Sequence, residues 1–200
     1  MPAALVLFAH PAIRQSRVQR RLRAAAESVP DVTVHDLYDA YPDFDVDVDA
    51  EQQRLLAHDV VLLQHPLYWY SVPPLVKQWF DLVLEHGWAY GKRGCALRDK
   101  FGGVAISAGG RAAAYRPDGF NRYTLPELLR PVEATLRLCG MRWLPPFFVT
   151  GTHAMDDAEV DAAAARYRRW LSLLTGGGLA PAQLAAPDAD AALALAETGG

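Results

Sequence analysis

The chain has 200 residues, 51% of them hydrophobic and 22% charged, and 20 basic against 23 acidic residues leave a formal net charge of -3. That length and apolar content exclude a disordered chain and suit one domain with its own core. No basic surplus exists to gather phosphate backbones, so nucleic acid is not an expected partner, and no apolar run nears the ~18 residues of a membrane span.

The first apolar stretch, Ala3 to Ala9, has neither the basic flank nor the cleavage site of a signal peptide. It is apolar on both faces, as a central parallel strand should be. Residues 17 to 27 follow as a helix, with Val18, Leu22 and Ala25 or Ala26 at helical spacing. Asp31 to Leu37 alternates and suits a second strand with one less buried face. Tyr38 to Val48 is expected as a loop punctuated by Pro42, and Asp49 as the N-cap of a short helix through Ala57. Asp59 to Gln64 is a third strand. Pro73 and Pro74 open a helix to about Glu85. Phe101 to Ser107 is a fourth strand, followed by a long loop to Thr124. Pro126 to Leu138 is helical with Gly140 as its stop. Arg142 to Thr150 is a fifth strand, broken early by Pro145 and Pro146. Ala158 to Leu174 is the last helix, ended by Gly176, Gly177 and Gly178.

Strands alternating with helices predict an α/β fold: a flavodoxin-like five-stranded parallel sheet with helices on both faces, spanning residues 1–174. Residues 175–200, rich in Ala, Pro and Gly, are expected as a mobile tail. In such sheets ligands sit beyond the carboxyl ends of the strands, at the switch point. Three loops meet there. The first, His10 to Ser16, carries neither GxGxxG nor a Walker lysine. Ser16 caps the helix, and the free N–H groups of Arg17, Val18 and Gln19 would face an anion, with Arg14 and Arg17 adding charge; a bare N-cap with solvated arginines is the plainer reading. The second packs Tyr68, Trp69 and Tyr70 beside Pro66 and Leu67, as a wall for a planar ring or as a hydrophobic plug. The third holds Gly109 and Gly110, as a ligand edge or an ordinary turn. Jointly they supply an anion site, an aromatic wall and a glycine edge, the inventory for a phosphorylated flat cofactor. Flavin phosphate suits it better than NAD, since no acidic ribose reader follows a glycine fingerprint.

The stretches LVLFAHP, LYDAYPDFDVDVDAEQ, QHPLYWYSVPPLVKQWFDLVLEHGWAYG and CGMRWLPPF resemble the flavodoxin-like NAD(P)H:quinone reductase family, closest to the ancillary oxidoreductase subunits of glutathione-regulated potassium-efflux systems. The similarity runs from about residue 4 to 172. It implies FMN, with FAD in animal relatives, and NADH or NADPH as donor. It places His10, Ser16, Arg17, Val18 and Gln19 around the phosphate. Pro66, Leu67, Tyr68, Trp69 and Tyr70 follow the ring, and Ser107, Ala108, Gly109 and Gly110 meet its pyrimidine edge. Trp69 and Tyr70 amides would face N5 and O4, and Tyr115 would relieve charge on the reduced ring. The histidine that assists that tyrosine in animal relatives falls near Asn121, which donates a hydrogen bond but carries no proton. The family often has Asn at the position of Gln19 and Thr-Thr at Ser107-Ala108. Relatives are homodimers, and Trp88 and Tyr90 match positions lining the substrate pocket from the partner chain.

The function expected is two-electron hydride transfer from NAD(P)H to a quinone or other small electrophile, by a ping-pong mechanism in one shared site. The alternative is a regulatory ancillary flavoprotein binding a membrane potassium-efflux antiporter, with turnover incidental. A flavodoxin-type electron carrier is disfavoured by the modest charge and the aromatic loop. The expected location is cytoplasmic, or peripheral at the inner face of the membrane. Cys95 and Cys139, without a CxxC pair, are expected as reduced thiols rather than a staple or metal site. No metal is expected. Asp43, Asp45, Asp47, Asp49 and Glu51 alternate, but a calcium loop would need Gly where Val48 stands and Glu where Arg54 stands. A solvated or interface loop suits them better. Tyr38, Tyr41 and Phe44 suit packing. His10 also reads as a buried structural histidine, and His65, His86 and His153 show no metal spacing.

Overall fold

A computed structural model describes residues 2–177 and 179–198. The apolar runs fold as parallel strands β1 (Ala4–Phe8), β2 (Val32–Asp36), β3 (Val60–Pro66) and β4 (Phe101–Ala108), in the order β2-β1-β3-β4. The expected fifth strand is two short ones, β5 (Arg142–Trp143) and β6 (Phe147–Thr150), both parallel to β4. Pro145 and Pro146 lack the N–H that a continuous ladder needs, so the edge strand is interrupted between them.

Every residue of β1 and β3 is buried, because helices cover both sheet faces. Leu5, Leu7, Val61 and Leu63 pack on one face under α3 (Val48–Leu56), α4 (Pro74–Val83) and α6 (Arg130–Leu138). Ala4, Val6, Val60 and Leu62 pack on the other, under α1 (Arg17–Glu27) and α7 (Asp157–Thr175). Successive strand residues point to opposite faces, so each strand serves both cores.

Several boundaries differ from expectation, each for a local reason. Asp36 caps a short helix α2 (Leu37–Ala40) where a loop is expected. Asp47, not Asp49, caps α3 by accepting the Ala50 N–H at 3.0 Å. The helix expected over Pro126–Leu138 is two, α5 (Leu125–Leu128) and α6. Thr124 and Glu127 close a reciprocal capping box on α5, and Pro131 cannot donate back to the preceding turn.

Residues 179–198, within the segment expected as a mobile tail, have secondary structure and pack on the core. They form α8 (Pro181–Leu184) and α9 (Ala189–Thr198). Ala189, Ala192 and Leu193 are buried against the α1–α7 face. The Ala189 N–H donates to Pro146 O at 3.0 Å, and Arg166 and Arg169 of α7 pair with Asp190 and Glu197. Alanine buries backbone and one methyl with no side-chain entropy to lose, so an Ala-rich segment docks without large residues. Gly178 of the expected glycine stop lies outside the described residues.

Glu51, expected in a solvated or interface loop, is wholly buried beneath α4. It accepts from Tyr41 Oη at 2.8 Å and Trp79 Nε1 at 2.9 Å, and His35 Nε2 stands 2.8 Å away. Burial pushes its carboxyl up, and the bonds from His35, Trp79 and Tyr41 outweigh that, holding it below the usual carboxylate range.

His65, at the end of β3, is also fully buried. Its Nδ1 lies 3.0 Å from Pro66 O, and Nε2 has no partner among the described residues. Burial disfavours the imidazolium and pushes its pKa down to about 4. The unfolded chain therefore takes up this proton first, near pH 6.5. Stability present above that pH is lost as pH falls towards 4, by about 3 kcal/mol in all. His65→Phe cannot titrate. Urea unfolding of the wild type should lose more stability than this variant between pH 7 and pH 4.5, and parallel losses would show that His65 is charged in the native state.

Candidate active site

The carboxyl ends of β1, β3 and β4 open into a cleft of about 450 Å³, within the range of small-molecule sites. Three of its walls are the loops singled out in the sequence. His10, Ser16, Arg17 and Val18 form one side, Pro66, Leu67 and Tyr68 another, and Ser107 and Gly109 a third.

On the first side Ser16 Oγ accepts the Gln19 N–H at 3.2 Å and so caps α1. The N–H groups of Arg17 and Val18 have no acceptor among the described residues. They give the helix end the partial positive charge that receives an anion. The Arg17 guanidinium does not hang free: it donates to Asp157 Oδ1 at 2.8 Å and Met155 O at 2.5 Å. His10 Nδ1 accepts the Ala12 N–H at 3.0 Å, which leaves the ring proton on Nε2 as a donor. Burial lowers the His10 pKa, so the ring is neutral above its ordinary titration range.

Gln19 is not in the cleft. It lies fully buried beneath it, donating from Nε2 to Ser107 Oγ at 2.9 Å and accepting from Gln64 Nε2 at 2.9 Å. This chain of amides ties α1, β3 and β4 together under the cleft floor. Ser107 Oγ is the acceptor in that bond, so its own hydroxyl hydrogen is left to donate. Ala108 is buried in the strand and contributes its carbonyl to the Thr152 N–H at 3.2 Å.

The second side ends in a tight hairpin. Tyr68 and Ser71 exchange both backbone hydrogen bonds, at 3.1 and 3.0 Å, across Trp69 and Tyr70. Both central residues are left-handed, with φ of 50° and 63°. Such turns normally use Asn-Gly. Two bulky L-residues there store roughly 1–2 kcal/mol each, and strain of this kind concentrates at ligand sites. Trp69 is 93% exposed and Tyr70 48% exposed. They rim the mouth rather than line the cleft.

Gly110 lies outside the cleft lining. A Cβ there would stand 3.1 Å from the Tyr115 ring, so the tyrosine packs on the glycine edge from behind. Burial raises the Tyr115 pKa, partly offset by a hydrogen bond from the Gly110 backbone, so the phenol keeps its proton at neutral pH. Tyr115 faces a neighbouring pocket instead. Trp88 and Tyr90 are half-buried beyond α4, and Tyr90 lines a groove between α4 and α6. Neither reaches the cleft of its own chain.

A fourth wall was not singled out from sequence. Thr152 and His153, after β6, close the cleft opposite Tyr68. A Cβ on Gly109 would run into the His153 ring. The available signal was topological: Gly151-Thr152-His153 follows the fifth strand position at the same sheet edge. Among the described residues no three or more His, Cys, Asp or Glu side chains stand together as metal ligands.

A flavodoxin-like family model matches residues 3–171. The chain belongs to the flavodoxin-like family. This flavodoxin-like chain is 46% identical over 163 residues to an uncharacterized NAD(P)H oxidoreductase, YdeQ, of Bacillus subtilis, covering 82% of this chain and 83% of that one. It is 45% identical over 175 residues to the glutathione-regulated potassium-efflux system ancillary protein KefG of Cronobacter sakazakii, covering 87% and 95%. Among solved structures, general stress protein 14 of Treponema denticola, in complex with FMN, superposes with a TM-score of 0.81 at 41% identity, covering 86% and 98%.

Proposed function

We propose that the chain is an FMN-dependent NAD(P)H oxidoreductase that reduces a quinone or another small electrophile. The observation that carries this reading is the pairing of two features across one cleft: unpartnered N–H groups at the start of α1, and a strained aromatic turn at the mouth. Bound flavin would supply the two-electron chemistry, accepting hydride from the nicotinamide and passing it to the acceptor.

The residues supply the rest. Arg17 and Val18 amides hold the phosphate, with His10 Nε2 beside them. Pro66, Leu67 and Tyr68 give the ring an apolar bed. The left-handed turn fixes the direction of the Trp69 and Tyr70 amides, so that donors are in place before charge develops. Ser107 Oγ–H and the Gly109 backbone serve the opposite ring edge. Tyr115 stays protonated and backs that edge through Gly110 without entering the cleft. One cleft with one open mouth serves donor and acceptor in turn, which predicts ping-pong kinetics.

Trp69, Phe120 and Tyr123, at 93%, 89% and 59% exposed, leave an aromatic rim in contact with water. A second copy of the chain covering that rim fits the homodimer reading. Trp88 and Tyr90 would then complete the substrate pocket from the partner. The likeness to KefG favours a second reading, in which the flavoprotein works at a potassium-efflux antiporter on the cytoplasmic side of the membrane. No described helix is long and apolar enough to cross a membrane.

The test is a visible spectrum of the protein as isolated, before and after anaerobic NADH or NADPH. A flavin band that bleaches with donor and returns with quinone is the expected result. Colourless protein that takes up neither FMN nor FAD would overturn the oxidoreductase reading. Restoration of antiporter activity by a variant that binds flavin but does not turn over would favour the regulatory one.

A further inference from the structure

The docked C-terminal helices alter the surroundings of Tyr115. Beside the cleft, across the loop that follows β6, they help to wall a second pocket of about 480 Å³. Tyr115 and Phe148 line one part of it, and Pro187, Asp188, Asp190 and Arg166 another. The family match ends at residue 171, so Pro187, Asp188 and Asp190 stand outside the shared core.

Arg111 is exposed, precedes Ala112 of that pocket and lies against the loop that follows β6. Its Cγ would lie 3.5 Å from a Cβ on Gly151, and Gly151 N–H binds Gly110 O at 2.8 Å. Unlike Arg17 and Arg166, it has no carboxylate or carbonyl partner for its side chain among the described residues. This edge of the sheet therefore carries a cleft, an exposed arginine and a pocket with aromatic and proline walls. A nicotinamide dinucleotide has parts of matching chemistry: a flat ring, a diphosphate, and a ribose carrying a second flat ring.

The carboxylates refine the match. Asp188 Oδ1 accepts the Ala191 N–H at 2.8 Å, and Asp190 Oδ2 pairs with Arg166 at 3.0 Å. Each keeps one oxygen without a partner among the described residues. Paired acceptors of this kind suit the vicinal hydroxyls of a ribose, and the two carboxylates outnumber the one guanidinium of Arg166 in the lining, so the net charge there opposes a 2′-phosphate. We propose that this pocket is the adenosine subsite of the electron donor, and that Asp188 and Asp190 select NADH over NADPH. The proposal rests on the oxidoreductase reading.

Calorimetry on the flavin-loaded full chain tests it with a binding readout beside the activity. The probes are AMP and adenosine 2′,5′-bisphosphate. AMP should bind, compete with NADH, and bind at least about tenfold tighter than the bisphosphate. In the double variant Asp188→Asn and Asp190→Asn, the two adenylates should come within about threefold, and the kcat/KM preference for NADH should shrink by the same factor. Asparagine can still cap α9 and accept from Arg166, so the wall should stay in place. Equal binding of the two adenylates by the wild type, or a preference that survives both substitutions, would overturn the proposal. Flavin bleached equally by both donors would remove the selectivity and leave the oxidoreductase reading standing. Failure of both donors to reduce the flavin would remove that reading instead, and tight, selective AMP binding would then still support an adenosine site.

Discussion

Gly109→Val should yield protein that folds and carries no flavin. Gly109 follows the last residue of β4 and lines the cleft, and a Cβ at this position already runs into the His153 ring. Valine adds two further methyls with few allowed rotamers. Either those methyls or a displaced His153 must enter the space beside Ser107. Forcing carbons into a packed site costs about 1–3 kcal/mol. Here Gly109 is only partly buried and His153 is exposed, so the strand can stay in place while the ligand loses its edge. The flavin-to-protein absorbance ratio should fall at least tenfold, on the order of that cost, with the thermal midpoint of the flavin-free protein unchanged. Gly109→Ala should fall between. Gly110→Val should cost less flavin, because its Cβ meets the Tyr115 ring outside the cleft. Full occupancy in Gly109→Val would mean that the ring edge lies elsewhere.

Much of this site was legible because parallel sheets write themselves plainly. A strand buried on both faces must be apolar throughout, so Ala4–Phe8 and the first residues of Val60–Pro66 stand out as runs, and the loops after them fall at one edge. The turn at Trp69–Tyr70 is legible as aromatic but not as strained. Left-handed φ leaves no mark on residue type when the fold imposes it against preference. Gln19 reads from sequence as a free anion donor in the first helical turn, whereas its N–H is taken by Ser16 Oγ and its side chain faces inward to Ser107. Residues 179–198 escaped because alanines pack by fitting close rather than by being large. The fourth wall at His153 depended on how the edge strand ends, and the two prolines obscured that.

The Glu51 cluster shows the opposite case, a residue whose pattern hides its role. In an alternating acidic loop it looks solvated, yet it draws on three elements besides its own. His35 comes from β2, Tyr41 from the turn after α2 and Trp79 from α4. Arg54, one turn along α3, stands 3.4 Å from the same carboxylate. Glu51→Ala removes the acceptor and leaves Trp79 Nε1 and the Tyr41 hydroxyl buried with no partner. Breaking a buried charged contact of this kind costs about 3–5 kcal/mol. In a domain of this size that lowers the melting point by about 10 °C. Glu51→Gln keeps one acceptor oxygen but turns an amide towards donors, so its loss should be smaller and still clear. Neither variant touches the cleft, so each should retain flavin at low temperature. The two lesions therefore separate: Gly109→Val loses flavin with the melting point of the flavin-free protein unchanged, and Glu51→Ala loses melting point with flavin bound. A Glu51→Ala protein as stable as wild type would show that the buried carboxylate is repaid by no net interaction, and that the apolar packing around Trp79 alone holds α3 and α4 to the sheet.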